Sequence, residues 1–178
     1  MKLLHISDTP RERFAYTDGL IQRIKPDILI HTGDMADDVK VGRMPVREEY
    51  LEALDRILEI LSRSGAKETY ICPGNNDLPD EIAARAPWAR VVKPCTVLTL
   101  CGVSVCLAHV PNADFRPARI CLYGHGFTAE THRRRDNTPE RMFLNGCLTA
   151  HVIELPECTV EYIDLPQLQN VREEVWKV

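Results

Sequence analysis

The run Asp27-Ile28-Leu29-Ile30-His31-Thr32-Gly33-Asp34-Met35-Ala36-Asp37 decides the fold of this chain. Its first half is an apolar, β-branched stretch of the kind that forms a strand buried on both faces. Its second half is polar, and Gly33-Asp34 follows directly from the end of that strand. In α/β sheets, the groups that bind ligands gather at the carboxyl ends of parallel strands. The stretch therefore predicts a buried strand with a functional site at its end.

Four other predicted strands end in the same way. Each is followed by residues that could bind a metal: Asp8 after residues 2–7, Gly74-Asn75-Asn76-Asp77 after 68–72, His109 after 103–108, and Gly124-His125 after 120–123. Taken singly, each ending has an ordinary explanation, because Asp caps helices, Gly-Asp and Gly-Asn form turns, and a lone histidine can be structural. Turn chemistry alone explains the whole set less well, and the set favours a shared metal-binding site.

The spacing of apolar residues predicts an α/β fold in one domain over residues 1–178. The first half alternates strands with helices at 14–24 and 45–64. The apolar stripe of the second helix consists of Leu51, Leu54, Leu58 and Leu61. From Val91 onward the pattern is one of short strands, interrupted by an irregular stretch at 126–141. Two packed sheets with helices on their outer faces are the simplest architecture for this order.

Composition limits the partners of the protein. The 178 residues include 22 Lys and Arg against 26 Asp and Glu, which gives a formal net charge of −4 and a pI near 5.9. This acidic balance argues against strong nucleic-acid binding and against binding to an anionic membrane surface. No apolar run approaches the roughly 20 residues that a membrane-spanning helix needs. A small anionic substrate is still compatible with this charge, because a bound metal can reverse the local field.

The seven cysteines indicate the cytoplasm. Their number is odd, no CxxC pair occurs, and Cys101, Cys106 and Cys121 lie within apolar runs typical of strands. Such cysteines are more typical of small buried side chains than of a disulfide framework. The stretch 1–8 has no small-residue cleavage site and is predicted to be a strand rather than a signal peptide. We therefore expect a cytoplasmic protein.

The order of the motifs, Asp…Gly-Asp-x-x-Asp…Gly-Asn-x-Asp…His…Gly-His, resembles that of the calcineurin-like metallophosphoesterase family. It is most similar to the small bacterial and archaeal phosphodiesterases of that family. The resemblance runs from Ile6-Ser7-Asp8-Thr9 to about Asn145-Gly146, and its most specific parts are residues 29–34 and 123–125. It implies a β-sandwich of two mixed sheets flanked by helices, in agreement with the apolar pattern. It also implies a hydrolase that uses divalent metals to cleave phosphoric ester bonds.

The resemblance implies two neighbouring metal positions, of which one is complete in this chain. The ligands of the complete position would be Asp34, Asn75, His109 and His125. The other position would use Asp8 and the shared Asp34 together with two histidines. Pro10 and Phe127 stand where those histidines are expected. We therefore expect one tightly bound transition metal, Mn, Zn, Fe or Ni, with the second position weakly filled or empty.

A second departure from the family affects the chemistry. The family's Gly-Asn pair is followed by a histidine thought to protonate the leaving oxygen and by an Asp that orients it. Here these positions are Asn76 and Asp77. An amide donates hydrogen bonds but delivers no proton, and loss of general acid catalysis typically costs about 10²–10⁴-fold in rate. The loss matters least for leaving groups that are already acidic.

Arg11 and Arg13 follow Pro10 at the expected mouth of the site. They are either part of a solvated loop or a source of positive charge that neutralises phosphate in place of the missing metal. His132 with Arg133-Arg134-Arg135 is expected in an exposed loop that could contact substrate or a partner. Asp37 is interpreted as a supporting carboxylate rather than a ligand. The remaining histidines, His5, His31 and His151, receive no metal role.

Three hypotheses of function follow from these residues. The first is a metal-dependent phosphoesterase with weak activity toward phosphodiesters or activated monoesters, acting on a small phosphorylated substrate. The second is a non-catalytic scaffold of the same fold that keeps a structural metal and binds a protein partner. The third takes Asp8-Thr9 as a phosphoaspartate site, which Pro10 disfavours because that chemistry usually shows a second Asp at this position. We adopt the first as the prediction.

Overall fold

A computed structural model describes the fold of residues 1–38, 46–111, 115, 117–126 and 140–167. Phe127 and the predicted loop with His132 and Arg133-Arg134-Arg135 lie outside them. Residues 168–178 also lie outside, so the assignment of the whole chain to one domain stays a prediction. In the part of the chain that is described, no helix is long and apolar enough to cross a membrane.

The order of strands and helices follows the one predicted from apolar spacing. The elements are β1 (Lys2–Ile6), a 3-10 turn (Arg11–Arg13), α1 (Phe14–Ile24), β2 (Ile28–His31), α2 (Arg47–Ser62), β3 (Glu68–Ile71), α3 (Pro79–Arg85), β4 (Arg90–Val91), β5 (Thr96–Leu100), β6 (Val103–Leu107), β7 (Ile120–Tyr123), β8 (Met142–Asn145), β9 (Thr149–Glu154) and β10 (Thr159–Asp164). Most bounds lie within about two residues of the prediction, because an apolar period of two or of 3.6 residues marks where an element begins and ends.

The strands form two mixed sheets. The first sheet has the order β10-β9-β1-β2-β3-β4, and the second has the order β5-β6-β7-β8. In the first sheet β1 to β4 run parallel, while β9 is antiparallel to β1 and β10 is antiparallel to β9. In the second sheet β6, β7 and β8 are parallel, and β5 is antiparallel to β6. The predicted architecture of two mixed sheets with helices is thereby confirmed.

The two sheets pack against each other over an apolar core. The buried side chains between them include Leu3, Ile28, Ile30, Tyr70, Val105, Leu107, Ile120, Leu122 and Leu144. Burying one such aliphatic side chain stabilises a fold by about 1.5–3 kcal/mol relative to leaving it in water. The run at 28–30 is apolar at every position because the opposite face of β2 is also covered.

Helices cover that opposite face of the first sheet. The buried side chains at this contact include Leu4, Ile21, Leu29, Leu54, Ile57, Leu61 and Ile71. Within the predicted stripe of α2, Leu51 is the member that stays half-buried. Among the described residues, helices lie against this sheet alone. The outer face of the second sheet has a smaller cluster that contains Phe115, Tyr123 and Phe143.

The cysteines differ in burial. Cys106 and Cys121 are buried on neighbouring strands of the second sheet, as their apolar surroundings predict. Cys101 is exposed at the turn between β5 and β6, because the apolar run that contains it is interrupted there by Gly102 with a φ of +79°. All seven cysteines lie in the described part of the chain, and no disulfide joins them there.

The five predicted strand ends meet at one edge of the sandwich. The loops after β1, β2 and β3 lie side by side there, and the loops after β6 and β7 of the second sheet contact them. His109 approaches the carbonyl oxygen of Thr32 to 2.8 Å, and the backbone N–H of His125 donates to the carboxylate of Asp8. Sheet packing therefore brings together residues that are far apart in the sequence.

Candidate metal centre

Three of the predicted ligands have a backbone conformation that residues other than glycine rarely adopt. The φ angles of Asp8, Asp34 and His125 are +52°, +53° and +74°. This left-handed region costs roughly 1–2 kcal/mol for a residue other than glycine. Such conformations persist only where the surrounding structure holds them, and they cluster at functional sites. Their occurrence at three strand ends that meet marks this edge as the candidate site.

The contacts of His109 show which ring nitrogen faces the site. Its Nδ1 lies 2.8 Å from the carbonyl oxygen of Thr32. Because a carbonyl only accepts, Nδ1 carries a proton, and Nε2 is the ring nitrogen that faces the site. This Nε2 lies 3.0 Å from Oδ1 of Asn75, 3.4 Å from Oδ1 of Asp34 and 3.3 Å from Nδ1 of His125. Two ring nitrogens, an amide oxygen and a carboxylate oxygen therefore converge on one point.

The surroundings of the partner atoms fit a cation at this point. Nδ2 of Asn75 donates to Oδ1 of Asn76 at 3.2 Å, which turns Oδ1 of Asn75 toward His109. Burial opposes ionisation of Asp34, but the adjacent His109 ring and the backbone N–H of Asn76 keep its pKa below the ordinary value. Asp34, His109 and His125 each offer one atom within 4.8 Å of the others. A carboxylate, an amide oxygen and two imidazoles form a ligand set that suits a divalent transition metal.

Asp8 holds the loop that carries His125. Its carboxylate oxygens accept the backbone N–H of His125 at 3.2 and 3.0 Å and the hydroxyl of Ser7 at 2.6 Å. Gly124 permits this approach, because a Cβ at that position would overlap the carboxylate of Asp8. Asp8 also belongs to a second group of potential ligands with Asp34 and Asp37, whose oxygens lie within 4.8 Å of one another. The two groups share Asp34.

Asp37 lies closer to the site than its interpretation as a supporting residue implies. It is fully buried, and burial together with the charges of Asp34 and Asp77 raises its pKa well above the ordinary value. The second group consists of carboxylates, which favour hard cations such as Mg²⁺ or Ca²⁺ over softer metals. The two groups therefore differ in the metal that they would prefer.

Asp77 holds backbone groups rather than the side chain at position 76. Its Oδ2 accepts the N–H groups of Asp34 and Gly74, each at 2.7 Å, and its Oδ1 accepts the N–H of Met35 at 2.9 Å and the hydroxyl of Tyr50 at 3.2 Å. Burial and the charge of Asp34 raise the pKa of Asp77. Within the described residues, no hydrogen bond joins its carboxylate to the side chain of residue 76, in contrast to the expectation. Tyr50 was not predicted, since its place on a helix gives no sign of this contact.

Asn76 directs its hydrogens at the carboxylates of the site. Its backbone N–H donates to Oδ1 of Asp34 at 3.0 Å, and its Nδ2 donates to Oδ2 of Asp34 at 2.9 Å. The same Nδ2 lies 3.4 Å from Oδ1 of Asp37. The carboxylates nearest to the side chain at position 76 are therefore those of Asp34 and Asp37, not that of Asp77.

The two predicted arginines have different surroundings. The half-buried Arg11 places Nε 2.6 Å from Oδ2 of the buried Asp38, whose Oδ1 accepts the backbone N–H of Arg11 at 3.2 Å. Arg13 is buried, and its guanidinium donates to the carbonyl oxygens of Cys147 and Pro166 at 2.7 to 3.1 Å. Arg11 is therefore bound to Asp38, the residue after Asp37, and its Nη2 donates to the carbonyl oxygen of Glu49 at 3.5 Å. Arg13 holds the chain near its C-terminal end instead, which corrects its expected place at the mouth.

The three histidines without a predicted metal role are buried behind the site. Nε2 of His5 lies 2.9 Å from Oγ1 of Thr32, and its Nδ1 lies 3.1 Å from Nδ1 of His151. Burial lowers the pKa of His31 to about 3, and burial together with His151 lowers that of His5. His5 and His31 are therefore neutral polar groups of the core.

Comparisons with known proteins agree with this geometry. YfcE, a phosphoesterase from E. coli, is 16% identical with a TM-score of 0.60, and the match covers 93% of this chain and 100% of that one. The Thermotoga maritima protein TM1076 is 22% identical with a TM-score of 0.52, and the match covers 94% of this chain and 99% of that one. At these identities the likeness shows the fold alone. A search of curated proteins gave no significant match.

The sequence profile of one family matches most of the chain. This profile, described as calcineurin-like phosphoesterase, covers residues 1–149. The matched residues include all five strand ends that meet at the candidate metal centre. The chain therefore belongs to the calcineurin-like phosphoesterase family.

Proposed function

We propose that this chain is a metal-dependent phosphoesterase that hydrolyses a small phosphorylated substrate, either a phosphodiester or an activated monoester. The observation that carries this proposal is the convergence of Nε2 of His109 with Oδ1 of Asn75, Oδ1 of Asp34 and Nδ1 of His125. Electronegative atoms in such proximity are stabilised by a cation among them. Membership of the family supports a phosphate ester as the substrate class.

The metal would be held by Asp34, Asn75, His109 and His125. When bound, Mn, Zn, Fe or Ni neutralises phosphoryl charge and lowers the pKa of water enough to provide a nucleophile at neutral pH. Thr32 keeps the proton of His109 on Nδ1 and thereby leaves Nε2 free to coordinate. Asp34 stays ionised, because its surroundings keep its pKa low.

We propose that the second position binds metal weakly. Asp8, Asp34 and Asp37 form its ligand group, and Pro10 stands where the family has an imidazole. Asp37 is also disfavoured as an anion in the metal-free chain, because burial and neighbouring charges raise its pKa. A cation there must therefore displace a proton as it binds, which weakens its apparent affinity near neutral pH.

The residue at position 76 limits the substrates. Asn76 delivers no proton, and its amide hydrogens are directed at Asp34 and Asp37. The leaving oxygen therefore has to depart without a proton from this residue, which favours phosphodiesters and monoesters with acidic leaving groups. Asp77 acts at a distance from the reaction by holding the backbone of this loop.

Arg11 is the proposed contact for the phosphoryl oxygens. Asp38 fixes its backbone N–H and its Nε, so the guanidinium is held beside the residue after Asp37. A guanidinium provides paired donors that match phosphate geometry. We expect it to supply part of the positive charge that a filled second metal position would supply.

The test is hydrolysis by protein that has been freed of metal and then loaded with one metal at a time. Bis(p-nitrophenyl) phosphate and p-nitrophenyl phosphate serve as a diester and an activated monoester, with Mn²⁺, Zn²⁺, Fe²⁺ and Ni²⁺ compared. We expect turnover with at least one metal, its loss in His109→Ala, and its retention in His151→Gln, since His151 lies outside both ligand groups. Absence of hydrolysis with every metal would overturn the proposal.

The alternative function is a non-catalytic scaffold that binds a protein partner and keeps a structural metal. The observation in its favour is that the side-chain N–H groups of Asn76 already donate to Asp34 and Asp37 and not toward a substrate. Metal binding without hydrolysis of either ester would favour it over an enzyme. For either function we propose the cytoplasm as the compartment, because the number of cysteines is odd and no CxxC pair occurs.

A further inference from the structure

The turn between β8 and β9 contacts the candidate site through a residue that no metal chemistry requires. β8 ends at Asn145, and the chain continues through Gly146 and Cys147 toward β9. The side chain of Asn145 is almost completely buried, with 1% of its surface exposed. A buried amide at this place calls for a physical account, since burying it without hydrogen bonds is unfavourable.

The amide of Asn145 has one allowed orientation. Its Oδ1 accepts the backbone N–H of Cys147 at 2.9 Å, and its Nδ2 donates to the carbonyl oxygen of Gly126 at 2.8 Å. Because an N–H only donates and a carbonyl only accepts, exchanging the two ends would place like groups together. Asn145 therefore donates to the carbonyl of Gly126, the residue that directly follows the predicted ligand His125.

His125 needs support from both sides. Its φ of +74° is rarely adopted by a residue with a side chain, and such a conformation persists only when neighbours hold it. Asp8 accepts the N–H of His125, and Asn145 binds the carbonyl of Gly126. The first contact holds the peptide before the Cα of His125. The second holds the carbonyl of the next residue, Gly126, whose own N–H donates to the carbonyl oxygen of Gly124 at 3.0 Å. Together these bonds restrain the turn at residues 124–126, and the direction of the Cα–Cβ bond of His125 in that turn determines where the ring points.

The same turn is also packed against the loop that carries Asp8. A Cβ at Gly146 would lie 2.8 Å from Cβ of Ser7 and 3.0 Å from Cε1 of His5, so glycine is required for this approach. The carbonyl oxygen of Cys147 accepts Nη1 of Arg13 at 2.7 Å. A shift of the turn would therefore disturb the loops on both sides of the site.

We propose that Asn145 is a positioning residue for the metal centre, which keeps Nδ1 of His125 directed at Nε2 of His109 by holding the carbonyl of Gly126 and thereby the turn at residues 124–126. This inference rests on the proposed function, because it assigns His125 to a metal. It adds a residue on the second sheet whose effect on the metal passes through the backbone. Replacing a residue that holds a metal ligand in place typically weakens metal binding by about 10–100-fold.

Two substitutions separate this role from a purely structural one. Asn145→Asp keeps the acceptor for Cys147 and replaces the donor to Gly126 by an oxygen, whereas Asn145→Ala removes both bonds. The matched control is Leu144→Ala, because Leu144 is the adjacent residue of the same strand, is equally buried and faces the core between the sheets. All variants are compared as metal-free protein at a temperature where each is folded.

Two readouts are measured on each variant. Calorimetric titration with Mn²⁺ alone gives the metal affinity, and amide hydrogen exchange by NMR gives the protection of the His125 N–H that Asp8 accepts. We expect both Asn145 variants to bind Mn²⁺ about 10–100-fold more weakly and to exchange the His125 amide faster. Leu144→Ala should lower the melting temperature without either effect.

The outcomes separate this inference from the proposed function. Wild-type affinity and protection in Asn145→Asp would overturn the role of Asn145, and so would equal changes in Leu144→Ala. If Asn145→Ala does not fold, Asn145→Asp decides the matter. If the wild-type chain binds no Mn²⁺, the proposed Mn²⁺ site is wrong, but hydrogen exchange of the His125 amide still tests the role of Asn145. Faster exchange in the Asn145 variants alone would support that role. Unchanged exchange would reject it.

Discussion

Replacing Asp77 by Asn tests whether this carboxylate assembles the loop that carries Asp34. Each of its oxygens accepts two hydrogen bonds, from the N–H groups of Asp34 and Gly74 at Oδ2 and from Met35 and Tyr50 at Oδ1. An asparagine has one acceptor oxygen, so its NH₂ must face two donors. The less costly choice puts the NH₂ toward Met35 and Tyr50, because the hydroxyl of Tyr50 can turn to accept. The N–H of Met35 then has no acceptor.

The magnitude follows from these four contacts. A buried donor left without an acceptor costs about 1–3 kcal/mol, and hydrogen bonds to a charged acceptor contribute about 1.5–3 kcal/mol against about 1 kcal/mol for a neutral one. The substitution also removes the repulsion from Asp34, which contributes to the raised pKa of Asp77 and offsets part of the loss. We expect the free energy of unfolding to fall by about 2–4 kcal/mol, a large share of the roughly 5–15 kcal/mol typical of a domain.

Urea denaturation of the metal-free protein measures this loss, and Mn²⁺ titration measures its effect on the site. Tyr50→Phe is the matched control, since it keeps the carboxylate. It removes the hydroxyl that donates to Asp77 and accepts the N–H of Leu78, each at 3.2 Å, for a loss of about 1–2 kcal/mol. Asp77→Asn should also weaken Mn²⁺ binding, because the N–H of Asp34 loses a charged acceptor next to a left-handed φ. A loss no larger than that of Tyr50→Phe, together with unchanged Mn²⁺ affinity, would refute the reasoning.

Three further substitutions test other parts of the site. His109→Ala and His125→Ala should each remove most of the bound metal by elemental analysis, because each deletes one of two imidazoles, and full retention in both would show that the site is misplaced. Asn76→His should raise turnover of esters with poor leaving groups about tenfold or more, with little gain for p-nitrophenyl esters, and an equal gain on both would contradict proton donation. Asp37 has a pKa above its unfolded value, so the native state binds more protons and the stability of metal-free protein falls as pH rises through that raised pKa. Asp37→Asn should remove this part of the pH dependence and raise the melting temperature at pH 8, whereas an unchanged pH profile would contradict the burial of charge at this residue.

The strands, the helices and the meeting of the strand ends could be predicted because they depend on local patterns. A β-branched run such as 28–31 has few alternatives to a buried strand, and parallel strands place their carboxyl ends at one edge. The stripe of α2 gave its length in the same way. These features need no knowledge of which distant residues touch.

The contacts that shape the site could not be predicted from spacing. Asp77 was expected to orient residue 76, but three of its four partners come from the loop after β2 and from α2, which are distant in the sequence. Asp37 lies close to Asp8 because the loops after β1 and β2 approach each other in space. The spacing of the two residues along the sequence does not reveal this approach. Around the left-handed φ of His125, the carboxylate of Asp8 accepts the N–H of His125 and the amide of Asn145 donates to the carbonyl of Gly126, so the turn is held from both sheets.

The origin of the ligands explains why metal content alone cannot separate an enzyme from a scaffold. Asp34 and Asn75 follow strands of the first sheet, whereas His109 and His125 follow strands of the second, so one ion held by all four would link the two sheets. A ligand at 100 times its dissociation constant stabilises the folded state by about 2.7 kcal/mol. The carboxylate group, by contrast, lies entirely in loops of the first sheet. Selection for a stable fold would thus retain the histidine-containing group even after catalysis was lost. The leaving-group dependence in Asn76→His is therefore the more decisive measurement, since it responds to bond cleavage and not to the metal's effect on folding.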